Sequence, residues 1–267
     1  MNNVFDIKRF GNYFLYDLRR GWNNYGISLL ILGVIPAIVF LCFQFFSLIS
    51  GNGIQETPDE MKFMALIVTC VVVFFGAGAK LYGFLTEKKA GSDFLMLPAS
   101  TLEKWLSMAL IVCIVLPVIL FALLIATDFL MNLIFPIAYG ERIFGLGLGA
   151  ELTEMLDAEG ISFNFPAIMF LSWCENILIF TLGAICFKKA KVAKTLLCCM
   201  LVGMVCSTLM VLFLGTNIHF DSDMFVDYFS SPDKAISAFN WCLSILYTLI
   251  IGGLLGGIYY RLRTLKH

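Results

Sequence analysis

Six stretches of the chain are apolar enough and long enough to cross a lipid bilayer, and this limits the fold more than any other feature. A spanning helix needs about 20 largely apolar residues. Of the 267 residues, 60% are hydrophobic and only 14% are charged, whereas a soluble domain carries roughly a quarter charged residues. We therefore predict an all-α, polytopic membrane protein without a separate water-soluble domain. Its six transmembrane helices are expected at about 26–49, 63–83, 106–134, 166–187, 193–214 and 238–260.

Lysine and arginine are distributed unevenly between the two sides of this bundle. Fifteen of the 18 lie in the N-terminal segment, the loops after the second and fourth spans, and the C-terminal end, which together we call the basic side. Only Lys62, Arg142 and Lys234 lie on the other side, called the acidic side because its three loops hold twelve of the 19 carboxylates. Cation-rich short loops remain in the cytoplasm. We therefore expect a multi-pass protein of the bacterial inner (cytoplasmic) membrane with both termini in the cytoplasm.

Residues 1–24 have the pattern of an amphipathic helix. Apolar residues, several of them aromatic, gather on one arc, and charged residues cover the opposite arc, as in a helix that lies in the headgroup layer. We predict an interfacial helix over 1–24, followed by the six-helix transmembrane domain over 25–267. The alternative is an ordinary cytoplasmic extension whose charges only set the orientation. The apolar arc consists of Val4, Ile7, Phe10, Phe14, Leu15, Leu18 and Trp22.

The loop between the second and third spans has a short apolar piece of its own, residues 94–97. Pro98 must end any helix formed there. Ser100 and Glu103 then have the spacing of a capping box that opens the third span. We predict a short interfacial helix and a capped re-entry, with an exposed apolar piece that lipid or a partner protein must cover.

Two carboxylates lie within the predicted spans. Ionisable groups at membrane depth usually mark a pathway or a partner. Asp128 is close to the acidic end of the third span, where it can simply reach the interface, and Glu175 is about nine residues into the fourth. For Glu175, a functional role and a hydrogen-bonded packing role remain equally open.

Two pairs of glycines in the last span, Gly252, Gly253, Gly256 and Gly257, create overlapping small-xxx-small spacings. Such spacings let a neighbouring helix approach closely. The pattern fits a dimer contact and packing within one chain equally well.

No catalytic or metal-binding set is found. The only histidines, His219 and His267, are far apart in sequence, and the nine cysteines fall inside apolar stretches as small hydrophobic residues do. A phosphate-binding lysine motif is also missing. We expect no enzymatic activity, no metal, no bound cofactor and no nucleic-acid partner for this chain.

The leading amphipathic helix, the six spans and the stretch Leu97-Pro98-Ala99-Ser100-Thr101-Leu102-Glu103-Lys104 together resemble a permease subunit of the type 2 ABC transporter superfamily. The resemblance covers the whole chain as an architecture, with that one stretch as its local motif. This sequence differs from the best-known members of the family, because its largest outer loop lies between spans three and four and not between five and six.

In that family the leading helix is an elbow at the membrane surface, and the loop between spans two and three docks on a separate ATPase. The resemblance implies a homodimer or heterodimer of permease chains with two ATPase subunits, which bind the ATP and magnesium. It further implies export of a hydrophobic, peptide or lipid-like substrate. The implied docking residues are Glu87, Lys88, Lys89, Asp93, Phe94, Leu95 and Met96.

Three other functions fit parts of the pattern. A membrane scaffold or sensor that recruits a cytoplasmic partner would share the loop without transport. A gradient-driven carrier would use Asp128 and Glu175, but the internal symmetry common among carriers is missing. An intramembrane enzyme lacks a nucleophile and base pair.

Overall fold

The computed structural model describes residues 5–140, 142–144, 165–217 and 232–264. The regular structure over these residues is entirely helical, and six helices are long and apolar enough to cross a membrane. The chain is therefore an all-helical, multi-pass membrane protein, as predicted. The helices are α1 (Ile7–Ile49), α2 (Asp59–Tyr82), α3 (Lys88–Met96), α4 (Thr101–Leu110), α5 (Leu116–Ile134), α6 (Pro136–Tyr139), α7 (Phe165–Cys186), α8 (Lys191–Asn217) and α9 (Pro232–Thr264).

The third span is one helix built from α4, a π-helical turn at Ile111–Val115, and α5. Pro117 explains the turn, because proline has no N–H to donate and its ring crowds the carbonyl of the residue four positions earlier. The Leu116 N–H accordingly donates to the carbonyl of Ile111, five residues back. The π-helical turn accommodates one additional residue, and the third span continues as a single helix.

The middle of the bundle is α7. Half of its most apolar window is buried, against 6% for α8 and for α9, which lie at the periphery. Helix α7 packs closely on α2 at Gly78, where an added Cβ would lie 2.8 Å from the backbone of Thr181. Val73 and Ile177 are fully buried in the same core. A glycine at this crossing therefore sets how near the two helices can lie.

Helix α1 runs unbroken through the predicted boundary at residue 24. No proline occurs before Pro36, so nothing in the sequence ends the helix at the membrane surface. Its 43 residues extend about 65 Å at 1.5 Å per residue, roughly twice the hydrocarbon thickness of a bilayer. The structure thus joins the amphipathic stretch and the first span in one element.

In the described part of the chain, hydrogen bonds join loops at each end of the bundle. At the basic end, the Lys191 ammonium donates to the carbonyl of Gly83 at 2.5 Å, joining the loops after the second and fourth spans. At the acidic end, the Thr57 backbone N–H donates to the carbonyl of Ala138 at 3.0 Å, joining the loops after the first and third spans.

Candidate functional site

The best-defined candidate site is the loop between the second and third spans on the basic side, residues 83–104. A 3₁₀ turn (Gly83–Thr86) leads into α3, which ends at Met96 ahead of Pro98. The predicted capping box is confirmed: the Glu103 N–H donates to the Ser100 hydroxyl at 3.2 Å, and the Ser100 N–H donates to the Glu103 carboxylate at 2.8 Å. The chain therefore turns back into the bundle at a fixed point.

The prediction that the whole apolar piece from Phe94 to Leu97 lies exposed is wrong for Phe94. This side chain is only 3% exposed and packs against Phe84, with 6.1 Å between the ring centroids. Lys104 closes it in, because its ammonium donates to the Phe94 carbonyl at 2.7 Å and lies 4.8 Å from the ring centroid. The protein itself covers Phe94, and the ring anchors α3 to the start of the third span.

Met96 is an apolar residue that α3 presents outward, at 82% exposure. Asp93 and Glu87 are also exposed, so they are free to face a partner. Lys88, Lys89 and Leu95 lie on the same helix, but their side chains are outside the described part of the structure. Among the predicted docking residues, Phe94 is thus buried and anchors the helix, whereas Met96 is exposed at its end.

Glu103 joins α1 to this loop, a role that the capping-box spacing alone does not reveal. Its side chain is completely buried, and the Arg9 guanidinium donates to its two carboxylate oxygens at 2.7 and 2.8 Å. The Asp6 backbone N–H donates to the same carboxylate at 2.9 Å. Arginine and the N–H groups together compensate the loss of water around the carboxylate.

Asp17 forms a second polar junction, which sequence reasoning missed. It is 5% exposed and accepts hydrogen bonds from the Tyr82 hydroxyl at 3.1 Å and the Ser107 hydroxyl at 2.8 Å. These contacts tie α1 to α2 and to α4. The polar arc of the leading segment therefore faces protein in part, while apolar-arc residues such as Leu15 are exposed. A periodic pattern gives the two arcs but not which of them meets the bundle.

Asp128 is held at the acidic end by hydrogen bonds from the protein. It is 4% exposed, accepts from the Tyr139 hydroxyl at 2.7 Å, and accepts from the backbone N–H groups of Ile143 and Phe144, each at 3.3 Å. The carboxylate organises the chain that leaves the third span.

Glu175 is half-buried on α7, and no hydrogen bond or ion pair joins it to another described residue. Its neighbour Asn176 bonds within its own helix, to the carbonyl of Ser172 at 2.8 Å. The structure gives Asp128 and Glu175 separate surroundings, so it does not bring together the pair that a carrier would use.

An apolar cavity of about 400 Å³ lies in the acidic half, between α2, α5 and α7. Trp173 lines it and stacks at 4.7 Å on Phe74 and at 6.0 Å on Phe121, measured between ring centroids. The Trp173 indole N–H is buried there without a hydrogen-bond acceptor among the described atoms. The surface that the cavity offers to a ligand is therefore almost entirely apolar.

Three of the four α9 glycines face open space. An added Cβ at Gly252, Gly253 or Gly256 would meet no atom within 4 Å, whereas one at Gly257 would lie 3.6 Å from Leu182. Packing within the described chain therefore accounts for Gly257 alone.

Comparisons with protein-family models, curated proteins and solved structures found no match to this chain.

Proposed function

We propose that this chain is the membrane-spanning permease subunit of an ABC-type transporter in a bacterial inner membrane, with both termini in the cytoplasm. A separate ATPase subunit binds ATP and magnesium. Two permease chains, identical or different, form the transport path, and the cargo is a hydrophobic, peptide or lipid-like molecule moved outward.

One observation carries the proposal: α3 is a short, firmly anchored helix on the basic side that presents Met96 to solvent. An exposed methionine on a fixed element fits a hydrophobic pocket on a partner, since flexible thioether side chains adapt to such pockets. Phe94 and Lys104 hold the helix from behind. These contacts let a partner's movement reach the membrane helices instead of only bending a loop.

In the proposed mechanism, closure of the ATPases on ATP displaces α3. Lys104 passes the displacement to the third span, because its ammonium is bonded to the α3 backbone. Glu103 passes it to α1 through Arg9. Two spans then move together, which opens or compresses the space between permease chains.

The nature of the cargo and the dimer are supported by two further features. The apolar cavity beside Trp173 suits a hydrophobic molecule. The open glycine face at Gly252, Gly253 and Gly256 suits close approach of another helix, as expected at a permease–permease contact.

Affinity purification from native membranes tests the proposal. We expect an ABC ATPase subunit to copurify and the eluate to hydrolyse ATP. The Met96→Glu variant should retain roughly tenfold less of that ATPase, the effect of losing one hot-spot side chain. Asn12→Asp, at an exposed position near the start of α1, makes the same change in net charge and should retain the normal amount.

A partner that remains bound to Met96→Glu would place the docking surface elsewhere. A stable complex with a cytoplasmic protein that never turns over ATP would contradict the transporter and favour the scaffold or sensor.

A further inference from the structure

A second apolar cavity, of about 460 Å³, lies between α1 and the third span, with Leu81 of α2 on its floor. Leu15 and Leu29 mark its two ends along α1, and Ile111 and Ile119 lie on the opposite wall. The volume is in the range of small-molecule sites, roughly 300–1,000 Å³. The π-helical turn forms part of this wall, a backbone irregularity that often accompanies function.

The cavity lies in the basic half of the bundle. Helix α1 and the third span run in the same direction, since the Asp6 N–H meets Glu103 near their starts and the Thr127 hydroxyl donates to Gly33 at 2.9 Å further along. From Leu15 to Leu29 is about 21 Å at 1.5 Å per residue. This is roughly one leaflet's hydrocarbon depth, about 15 Å, together with part of the headgroup layer.

Arg19 lines the cavity at its basic end and is exposed. It makes no ion pair or hydrogen bond with another described residue. Its neighbours are engaged elsewhere: the Arg20 guanidinium lies 3.5 Å from the Phe84 ring centroid, and the Asp17 carboxylate accepts from Tyr82 and Ser107. A cation thus stands uncompensated at the mouth of an apolar channel.

Two aromatic residues complete the lining. Trp22 is about half exposed and lies about one helical turn deeper than Arg19, and tryptophan favours the boundary of the hydrocarbon layer because its ring is amphipathic. Tyr25 is 3% exposed, and its hydroxyl has no hydrogen-bond partner among the described atoms. A cation at the basic end of an apolar cavity, with an indole one turn deeper, matches the order of headgroup and acyl chain in a phospholipid.

We propose that this cavity is a binding site for an anionic phospholipid of the basic-side leaflet. The phosphate lies at Arg19, and one acyl chain passes Trp22 and follows the apolar cavity towards Leu29 and Ile119. Charge complementarity at Arg19 selects an anionic over a zwitterionic lipid. The site is independent of the proposed transport function and of any ATPase.

Native mass spectrometry of the purified full chain in detergent tests the charge. Phosphatidylglycerol and phosphatidylcholine of equal chain length are added together, and bound lipid is counted. We expect preferential phosphatidylglycerol binding to the parent chain and roughly tenfold weaker binding to Arg19→Gln, from the loss of one charge-assisted hydrogen bond. Arg263→Gln removes an exposed arginine at the basic end of α9 and should bind as the parent does.

A second pair of variants tests the channel. Ile119→Trp fills the cavity and should reduce phosphatidylglycerol binding by a similar factor. Val118→Trp places the same side chain at the adjacent, 62% exposed position outside the lining and should leave binding unchanged. Both variants are first checked for an unaltered elution volume.

Equal binding of the two lipids, or binding unaffected by Arg19→Gln, would overturn the proposal. So would competition by inorganic phosphate alone, which would assign the site to a free anion. A dimer that carries no lipid and is disrupted by Ile119→Trp would assign the cavity to a second copy of the chain.

Discussion

The buried carboxylate of Asp17 holds three helices together through two hydroxyl groups. Tyr82 and Ser107 are 2% and 0% exposed, so neither hydroxyl has water as a substitute acceptor. A buried donor that loses its acceptor costs about 1–3 kcal/mol. Asp17 therefore stabilises the basic end through its hydrogen bonds to these two hydroxyls.

We expect Asp17→Ala to lower the free energy of unfolding by about 2 kcal/mol, because it leaves both hydroxyls unsatisfied. Ser107→Ala removes one of those donors. The double variant should consequently lose less than the sum of the two single losses, since the sites share an interaction. Thermal unfolding in detergent, followed by circular dichroism, measures the three variants.

Asn12→Ala, at an exposed position of the same helix, is the control and should unfold as the parent does. Strict additivity of the Asp17 and Ser107 effects would show that the hydrogen bond contributes nothing.

At the scale of the helices, α2 and α7 cross at Gly78, where an added Cβ would meet the backbone of the other helix and not a movable side chain. Gly78→Ala should destabilise the protein by about 1–3 kcal/mol, the usual range for overpacking, because the new methyl group would lie 2.8 Å from the Thr181 backbone. The measurement is the same thermal unfolding in detergent.

Gly76→Ala provides the matched control, two residues away on α2. The nearest atom to its added methyl group is the Tyr25 hydroxyl at 4.0 Å, and alanine favours a helix by roughly 0.5–1 kcal/mol over glycine. We expect it to be neutral or stabilising. Equal losses in the two variants would mean that helix packing at Gly78 is not the cause.

The spans themselves could be predicted from sequence because length and apolarity are properties of single segments. The capping box at Ser100 was predictable for the same reason, since both partners lie within one turn. Phe94 could not be placed, because its burial depends on Lys104 and Phe84 meeting it in three dimensions. The continuity of α1 was missed because a change of amphipathic pattern does not by itself end a helix.

At the scale of the whole molecule, the two ends of the bundle differ in charge, and this difference predicts their compartments. We expect Lys189→Cys to be protected from a membrane-impermeant thiol reagent in sealed cells and Asn52→Cys to be labelled. Both positions are exposed, at opposite ends. The parent chain, whose nine cysteines are free, supplies the background signal.

Labelling at residue 189 with protection at residue 52 would reverse the assignment. The α3 helix would then face away from any cytoplasmic ATPase. Permeabilised cells serve as the control, because both introduced thiols should react there.

The unbroken α1 has a mechanical consequence. A stiff rod about 65 Å long acts as a lever: a rigid tilt of about 10° about its acidic end carries the opposite tip sideways by about 11 Å. A small rearrangement at the acidic end of the bundle is thereby magnified at the basic end, where Arg9 is ion-paired with Glu103.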